Sequence, residues 1–402
     1  MSRERVVITG VGAVSPFGVG ADRLWHSLLL GECGIVDMPA RETIKGLEAA
    51  VAGLVPGVDP KSVPRVYRRS MSRMGIYAYL AALEALSGMP DYPTDMGLAV
   101  GGTMGSPDTM VDFFREYLGQ NGLGTVRATT FFKFMGHGVA SSLALALGLT
   151  GRVIAPSAAC AAGVVAVGEA YESIAHGRQS VVLCGGAEEF NVLTAATFDH
   201  IQAASHNRDP RSASRPFDMG RDGVVCSEGA GFLLVENRER AVARGATIWA
   251  EIVGYASNCS PRNLVYPDQR AIYDCMARCL DDADVKPDGI GAVNAHATAT
   301  VEGDRAEGRA IADLLGRGVP VCSLKGQLGH TMAASGSLEL IACLHMMREG
   351  VVLPNHNLDT ADPECGGIRL PVEAVSGSVD VVLKNGCALG GINASLLLRR
   401  AE

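Results

Sequence analysis

Twice in this sequence a short apolar strand passes through a four-residue turn into a helix, and another strand follows. The first copy is Arg152-Val153-Ile154-Ala155, then Ser157-Ala158-Ala159-Cys160, then a helix from Ala161 to Ile174 that ends at His176-Gly177. The second is Val319 to Cys322, then Ser323-Leu324-Lys325-Gly326, then a helix near Ala333 to Met347 that ends at Glu349-Gly350. The strands that follow are Ser180 to Gly186 and Asp380 to Gly386. Such an order requires an α/β fold with layered helices and sheets. The distance between copies is far longer than a solenoid period, so it points to two similar halves. The change falls near residues 235–250, where Asn237 to Gly245 is a charged helical connector and Ile248 to Tyr255 opens a new strand. The expected halves are residues 1–240 and 241–402. An α/β chain can show this coincidence by chance, so the repeat alone leaves the matter open.

Other segments fit the same class. Val6 to Gly10 reads as a buried strand that enters a Gly-rich turn lasting to Gly20. Arg65 to Leu86 has helical spacing, Leu98 to Gly102 is a strand and turn, and Gly138 to Leu149 is a small, apolar, buried helix.

Composition excludes several kinds of molecule. With 402 residues, 48% hydrophobic and 19% charged, the chain buries a large core and is not disordered. Its 49 glycines and 5% aromatics suit tight helix-on-sheet layers. The net charge of −8 argues against a global nucleic-acid binder, although a local basic patch stays open. No apolar run reaches the ~20 residues of a membrane span. The N-terminal segment lacks the pattern of a secretory signal, and eleven scattered cysteines fit a reducing cytoplasm. Cys275 and Cys279, spaced i, i+4 with no second pair, read as helix packing rather than a metal site.

Four residues suggest chemistry. Cys160 lies among small residues that let a substrate approach the sulfur, and a helix start beside it favours the thiolate. Taken alone, the segment fits a buried core cysteine better. His296 ends a strand-like run and precedes Thr298, Thr300 and Gly303-Asp304. His330 sits in the Gly-rich turn Lys325-Gly-Gln-Leu-Gly329-His330-Thr331, with Lys325 an unexpected cation. A phosphate loop is excluded, because Lys325 precedes the glycines. A cysteine, two histidines and a lysine at strand ends of two similar halves describe one site, since sites in α/β sheets gather at carboxyl strand ends.

In this order and spacing the chain resembles the elongating β-ketoacyl-acyl carrier protein synthases (ketosynthases) of the thiolase-like superfamily. The motifs are Val7-Ile-Thr-Gly-Val-Gly12, Ser157-Ala-Ala-Cys160, Gly185-Gly-Ala-Glu188, and Arg215-Pro-Phe-Asp218 with Arg221-Asp-Gly223. They continue with His296-Ala-Thr298-Ala-Thr300, Gly303-Asp304, Glu307, Ser323-Leu-Lys325, Gly329-His330 and Gly390-Gly-Ile-Asn393. Ala203-Ala-Ser-His-Asn207 and Gly254 to Cys259 look more like the aryl-polyene and type II polyketide branch. The resemblance implies a five-layered α-β-α-β-α fold made of two similar halves. It implies that Cys160 accepts the acyl group and that His296 and His330 serve decarboxylation and condensation. Lys325 would order the site, with Glu307 in its network. Thr298 and Thr300 would line the pantetheine channel, and the amides of Cys160 and Leu389 would form the oxyanion hole. No metal or redox cofactor is implied; substrates ride on the phosphopantetheine arm of an acyl carrier protein.

That carrier is the expected partner. Its landing site is expected on Arg65, Arg68 and Arg69, in a stretch from Lys61 to Arg73 with five cations and no acids. The bland alternative is a solvated helix face. A second subunit, identical or like a chain-length factor, is expected to bury Ser180 to Cys184 as a sheet edge near Phe131 to Phe134. Three departures from the family pattern concern substrate choice: Ala297 for glycine, Leu389 for a gating phenylalanine, and the altered segment Ser260 to Pro267. The competing functional readings are a non-catalytic chain-length-factor-like subunit, which would lack the cysteine, and a degradative thiolase, which would need a second catalytic cysteine.

Overall fold

The structure, a computed structural model, describes residues 3–38, 44–120 and 127–401. Met1, Ser2 and Glu402, at the outer ends of the expected halves, lie outside them. In the first half the main elements are β1 (Val6–Ser15), α1 (Arg73–Ala85), β2 (Gly97–Gly101), α2 (Gly138–Leu147), β3 (Val153–Ile154), α3 (Ala162–Ala175), β4 (Val181–Glu188) and β5 (Gly229–Asn237). In the second they are β6 (Ala250–Cys259), α4 (Gln269–Ala283), β7 (Ala292–Asn294), α5 (Val301–Leu315), β8 (Val321–Cys322), α6 (Ser335–Glu349), β9 (Val381–Cys387) and β10 (Ile392–Arg399).

The strands run β3-β2-β4-β5-β1 in the first half and β8-β7-β9-β10-β6 in the second. In each the first three neighbours are parallel and the last two pairings antiparallel. The two sheets join through β1 and β6, with Val6 opposite Ile252 and Ile8 opposite Ala250. Because both faces of these sheets are covered, strands read as continuous apolar runs, yet their side chains still alternate. In β5, Leu233 and Val235 enter the central core, whereas Phe232 and Leu234 enter an outer one.

Three cores separate five layers. Between the sheets, α3 and α6 pack Val164, Val167, Leu338 and Ile341 against Leu233 and Leu396. Outside the first sheet, α1 and α2 bring Met74, Ala78 and Leu143 onto Leu183 and Phe232. Outside the second, α4 and α5 bring Met276 and Ile311 onto Val293, Leu383 and Leu397. Cys275 and Cys279 lie in the buried face of α4. Among the described residues no cluster of His, Cys, Asp or Glu is arranged for a metal, and no helix is long and apolar enough to cross a membrane.

Several expectations are corrected. The segment after Gly10 is not a turn: β1 continues to Ser15. Gly10 and Gly12 serve close packing, since a Cβ at either would lie 2.0 Å from a carbonyl oxygen of α1, Ala85 or Ala81. The helix expected over 65–86 is broken. Ser72 is extended and its hydroxyl accepts from the Gly75 N–H at 3.3 Å, capping α1 and leaving Arg65–Arg68 as a separate turn. The Ser180 to Cys184 segment is no sheet edge, because β4 is flanked by β2 and β5. The open edge is β3, where Val153 is 45% exposed. The second copy of the strand–turn–helix pattern also differs from its layout in sequence. A short helix, Lys325–Leu328, intervenes before α6. The turn that matches Ala159-Cys160-Ala161 is Met332-Ala333-Ala334. Both are single 3-10 turns leading directly into a central helix, and both begin on a residue with positive φ, 45° at Ala159 and 48° at Met332.

The central helices meet at their starts. A Cβ on Gly163 would lie 2.5 Å from the Ala333 oxygen, and one on Gly336 2.6 Å from the Val164 nitrogen. Gly163→Ala therefore forces backbone apart and is expected to cost about 1–3 kcal/mol. Gly88→Ala, where nothing lies within 4 Å of the new methyl, is the control. Denaturant unfolding of both variants checks this; equal midpoints would remove the close contact as a constraint.

Candidate active site

Cys160 sits in the 3-10 turn at the head of α3, behind the strained backbone of Ala159. A non-glycine residue at positive φ is costly and persists only when its surroundings hold it. Here the Ala161 N–H closes the turn on the Ala158 oxygen at 3.0 Å, and α3 is clamped against α6. The sulfur opens into a cavity of about 280 Å³. His296, His330, Thr298, Thr300, Glu307 and Leu389 line the same cavity, so all the expected groups except Lys325 and the arginines border one space.

His330 reaches this space from the second half but is anchored to the first. Its N–H donates to the Val225 oxygen at 2.8 Å, and its oxygen accepts from Ser227 at 2.9 Å. Its ring lies 5.1 Å from that of His296, edge to face. Neither ring nitrogen of His330 has a hydrogen-bond partner among the described residues, although both are buried. Buried polar atoms are seldom left so, and His330 borders the cavity, where a bound group can reach its ring. His296 is held by its backbone: its N–H and that of Ala297 donate to the two oxygens of Glu307, at 2.8 and 2.7 Å. Glu307 also accepts from Asn385 Nδ2 at 3.1 Å.

The motif Arg215-Pro-Phe-Asp218 with Arg221 acts from behind. Asp304 accepts from the N–H groups of Phe217 at 2.7 Å and Ala299 at 3.2 Å. Arg221 bonds the carbonyls of Thr300 and Val301 and pairs with Asp362 at 2.9 Å. These contacts fix the loop that presents Thr298 and Thr300, whose hydroxyls lie 3.2 Å apart. The mouth includes Val265, Tyr266 and Pro267 from the segment that departs from the family pattern. That segment is tied to the Leu389 loop by the Gly390 N–H, which donates to the Leu264 oxygen at 2.7 Å.

Lys325 is buried and its Nζ contacts Glu339 Oε1 at 2.5 Å. Ser335 Oγ donates to the same oxygen at 2.8 Å, and Lys384 takes the other. Glu339, Lys384 and Asn385 were not singled out from sequence. The available signals were a lone acid within the small and apolar helix Ser335–Met347 and a lysine inside the strand Val381-Val-Leu-Lys384. A buried charge in such places needs a partner. Glu188, also buried near Cys160, has its pKa raised to about 7 by burial, with the Thr103 hydroxyl opposing the shift.

Burial dominates the electrostatics. It lifts the Cys160 thiol to about 12, although the Lys325 charge and the N–H groups of Cys160 and Leu389 favour the thiolate. The helix-start argument is thus outweighed, and the resting group at neutral pH is a thiol. Burial and the Lys325 charge hold both imidazoles well below their ordinary range, so each is neutral with one N–H donor. Glu339 is the exception: burial opposes its charge, but Lys325 and Lys384 win and hold it at about 2.

The basic stretch is weaker than its sequence suggests. Arg65 and Arg69 are exposed, but Arg68 turns back to the Pro60 oxygen at 3.1 Å, and Arg73 pairs with Asp108 and Glu228. The patch lies on the outer layer beside α2.

A raised thiol pKa has a measurable consequence. Iodoacetamide labelling of Cys160, followed by peptide mass spectrometry, should accelerate about tenfold per pH unit from about pH 7 to about pH 9 without levelling. A plateau below about pH 8 would show a resting thiolate instead.

Comparison with known proteins agrees with this arrangement. The family model "Beta-ketoacyl synthase, N-terminal domain" matches residues 3–241, and "Beta-ketoacyl synthase, C-terminal domain" matches 249–359. The chain is 34% identical to the actinorhodin polyketide putative β-ketoacyl synthase 1 of Streptomyces coelicolor, covering 100% of this chain and 89% of that one. It is 33% identical to 3-oxoacyl-[acyl-carrier-protein] synthase 1 of Escherichia coli K12, covering 99% and 100%. Among solved structures, a β-ketoacyl synthase from Burkholderia phymatum superposes with a TM-score of 0.95 at 37% identity, covering 99% and 100%. The ishigamide ketosynthase/chain length factor superposes with a TM-score of 0.92 at 31% identity, covering all of both chains. Over its whole length and in its fold, the chain belongs to the β-ketoacyl synthase family.

Proposed function

We propose that this acyltransferase joins an acyl group held on Cys160 to a malonyl unit carried by acyl carrier protein, in fatty-acid or type II polyketide synthesis. One observation carries the reading. A buried cysteine and a buried histidine with both ring nitrogens unpartnered border the same cavity as a second histidine. A chain-length-factor-like subunit would have no use for that set.

The acyl carbonyl of a carrier thioester meets the amides of Cys160 and Leu389. The sulfur forms a new thioester, and the thiol proton leaves with the departing pantetheine thiol. Malonyl thioester then enters between Thr298 and Thr300. It loses carbon dioxide, and the electron pair of the broken bond becomes an enolate. The two imidazole N–H donors stabilise the enolate oxygen, in a space where burial makes such bonds strong. The enolate carbon attacks the Cys160 thioester, and the sulfur departs as a thiolate that takes up one proton from solvent. Lys325 acts through charge from behind the cavity wall, while Glu307 acts by holding the His296 backbone. In this scheme every step is carried by side chains, amides and the carried thioesters, without metal or redox cofactor.

Leu389, 38% exposed, leaves a wider approach to the sulfur than an aromatic ring. This suits rigid conjugated chains of the aryl-polyene kind as well as fatty acyl chains. A partner subunit, identical or chain-length-factor-like, fits the open edge of β3. The equivalent strand β8 is buried, its Val321 N–H bonded to the Arg369 oxygen at 2.9 Å. Phe131 and Phe132 add exposed aromatic surface on the same half.

Intact-mass analysis with a panel of acyl carriers tests the reading. Cys160→Ala should abolish acylation yet retain decarboxylation of malonyl carrier, whereas His330→Ala should lower decarboxylation by on the order of 10²–10³. Acyl label on another cysteine, with Cys160 unlabelled, would sink the assignment. The width at Leu389 is checked by the relative acylation rates within the same panel.

The carrier's landing site is proposed on Arg65 and Arg69, with Arg68 partly withdrawn. Arg65→Glu with Arg69→Glu should slow acylation from carrier protein, most at low salt, and spare a small pantetheine thioester. Equal losses with both donors would assign these arginines to folding.

A further inference from the structure

Lys384 is the least expected charge in the molecule. It lies in β9, an interior strand, opposite Asn294 of β7 and Leu396 of β10. Its side chain is 1% exposed. Its ammonium reaches Glu339 Oε2 on the central helix α6, while Lys325 Nζ and Ser335 Oγ share Oε1. One lysine already neutralises the carboxylate. A second brings an additional charge out of water, and burying a charge is costly beyond what a neutral donor at the same place would be. Satisfying Oε2 therefore does not by itself account for an ammonium.

We infer that Lys384 is a positioning residue for the reaction: it occupies the second oxygen of Glu339, holds Lys325 at the first, and adds a positive charge behind the histidine pair. The inference rests on the ketosynthase reading for its consequence in turnover, but not for its geometry. With Lys384 at Oε2, a shift of Lys325 toward that oxygen would bring two ammonium groups together, and like charges repel. Lys325 stays where its charge reaches Cys160, His296 and His330. The Lys384 charge itself reaches both imidazoles and opposes their protonation. It acts on the two imidazoles proposed to meet the developing negative charge, and a fixed charge needs no reorganisation at that moment.

The groups facing this cluster come from every side. Glu339 comes from α6, Lys325 from the turn after β8, and Glu307 from α5. His296 and His330 stand before it. The thiols of Cys322, Cys343 and Cys387 also feel Lys384. Of these, only Glu339 touches the Lys384 ammonium among the described residues.

Three variants of the full chain separate charge from packing. Lys384→Met removes charge and donor, Lys384→Gln keeps a donor without charge, and Lys384→Ala leaves room for an added amine. In histidine C2–H titrations, His296 and His330 should move to higher pH in the Met and Gln variants, because a neighbouring positive charge no longer opposes protonation. Turnover in malonyl-carrier decarboxylation should fall about tenfold or more, with KM for the carrier within about threefold. Methylammonium should restore turnover of the Ala variant, and tetramethylammonium at equal ionic strength should not. Folded variants with unchanged histidine titrations and turnover would overturn the inference. So would equal recovery with both salts, or loss of the fold in both the Met and Gln variants, which would make Lys384 structural. If the native chain does not decarboxylate malonyl carrier, the ketosynthase reading fails, while the histidine titrations still decide the role of Lys384.

Discussion

The close approach of α3 and α6 at Gly163 and Gly336 sets the position of the groups that the proposed reaction uses. There the backbone of one helix start touches the backbone of the other, with no side chain between. Each helix belongs to a different half, so the contact fixes the distance between two elbows that the chain builds more than 170 residues apart. Cys160 stands on one elbow, and His330 stands two residues before the other. Neither elbow relaxes, because Ala159 and Met332 are held at positive φ by the helices that follow them. Such strain, about 1–3 kcal/mol per residue, survives only where packing over-determines the backbone.

The same burial that makes the site rigid makes it dry, and dryness decides which groups carry charge. Cys160, His296 and His330 are all pushed toward their neutral forms. Glu339 and its two lysines form the ion cluster beside them, held by direct contact. The site therefore offers the substrate hydrogen-bond donors rather than an ionised nucleophile: two amides at the sulfur and two imidazole N–H groups opposite. A thiol raised in this way reacts slowly with a general alkylating agent; on the proposed reading, a thioester whose carbonyl oxygen meets those amides is instead held in line for attack.

What could be read from the sequence divides along physical lines. Cys160, His296, His330 and Lys325 were legible in combination, because all four fall in glycine- or alanine-rich turns at strand ends, whereas Cys160 taken alone reads as a core cysteine. Glu339 and Lys384 were not, because they occupy a helix and a strand whose apolar pattern they merely break, and the pairing that explains them spans 45 positions. The strand–helix alternation gave the fold class, but glycines misled where their purpose was close packing. Gly10 and Gly12 read as a turn because nothing local reveals the backbone of α1 against them. The helix over 65–86 was overextended because its apolar spacing continues through Ser72, and only the cap shows the break. The sheet edge was misplaced because β4 is apolar, as an interior strand should be, while the true edge β3 is only two residues long.

The repeated topology also explains why two like halves do unlike work. By the matching of the elbows, Ala333 occupies the place of Cys160, and His330 the place of Ser157. In the first half the reactive atom is therefore on the elbow itself, whereas in the second it lies before the elbow, on a segment hydrogen-bonded to Val225 and Ser227 of the other half. A cysteine in place of Ala333 would add a sulfur at a fully buried position packed with Ala158 and Ala162. A small Ala333 instead lets its carbonyl press on Gly163, and the segment before it delivers an imidazole across the interface. The asymmetry needs no change of fold: a shift of three residues along the same turn separates the position proposed for the nucleophile from that proposed for the hydrogen-bond donor facing it.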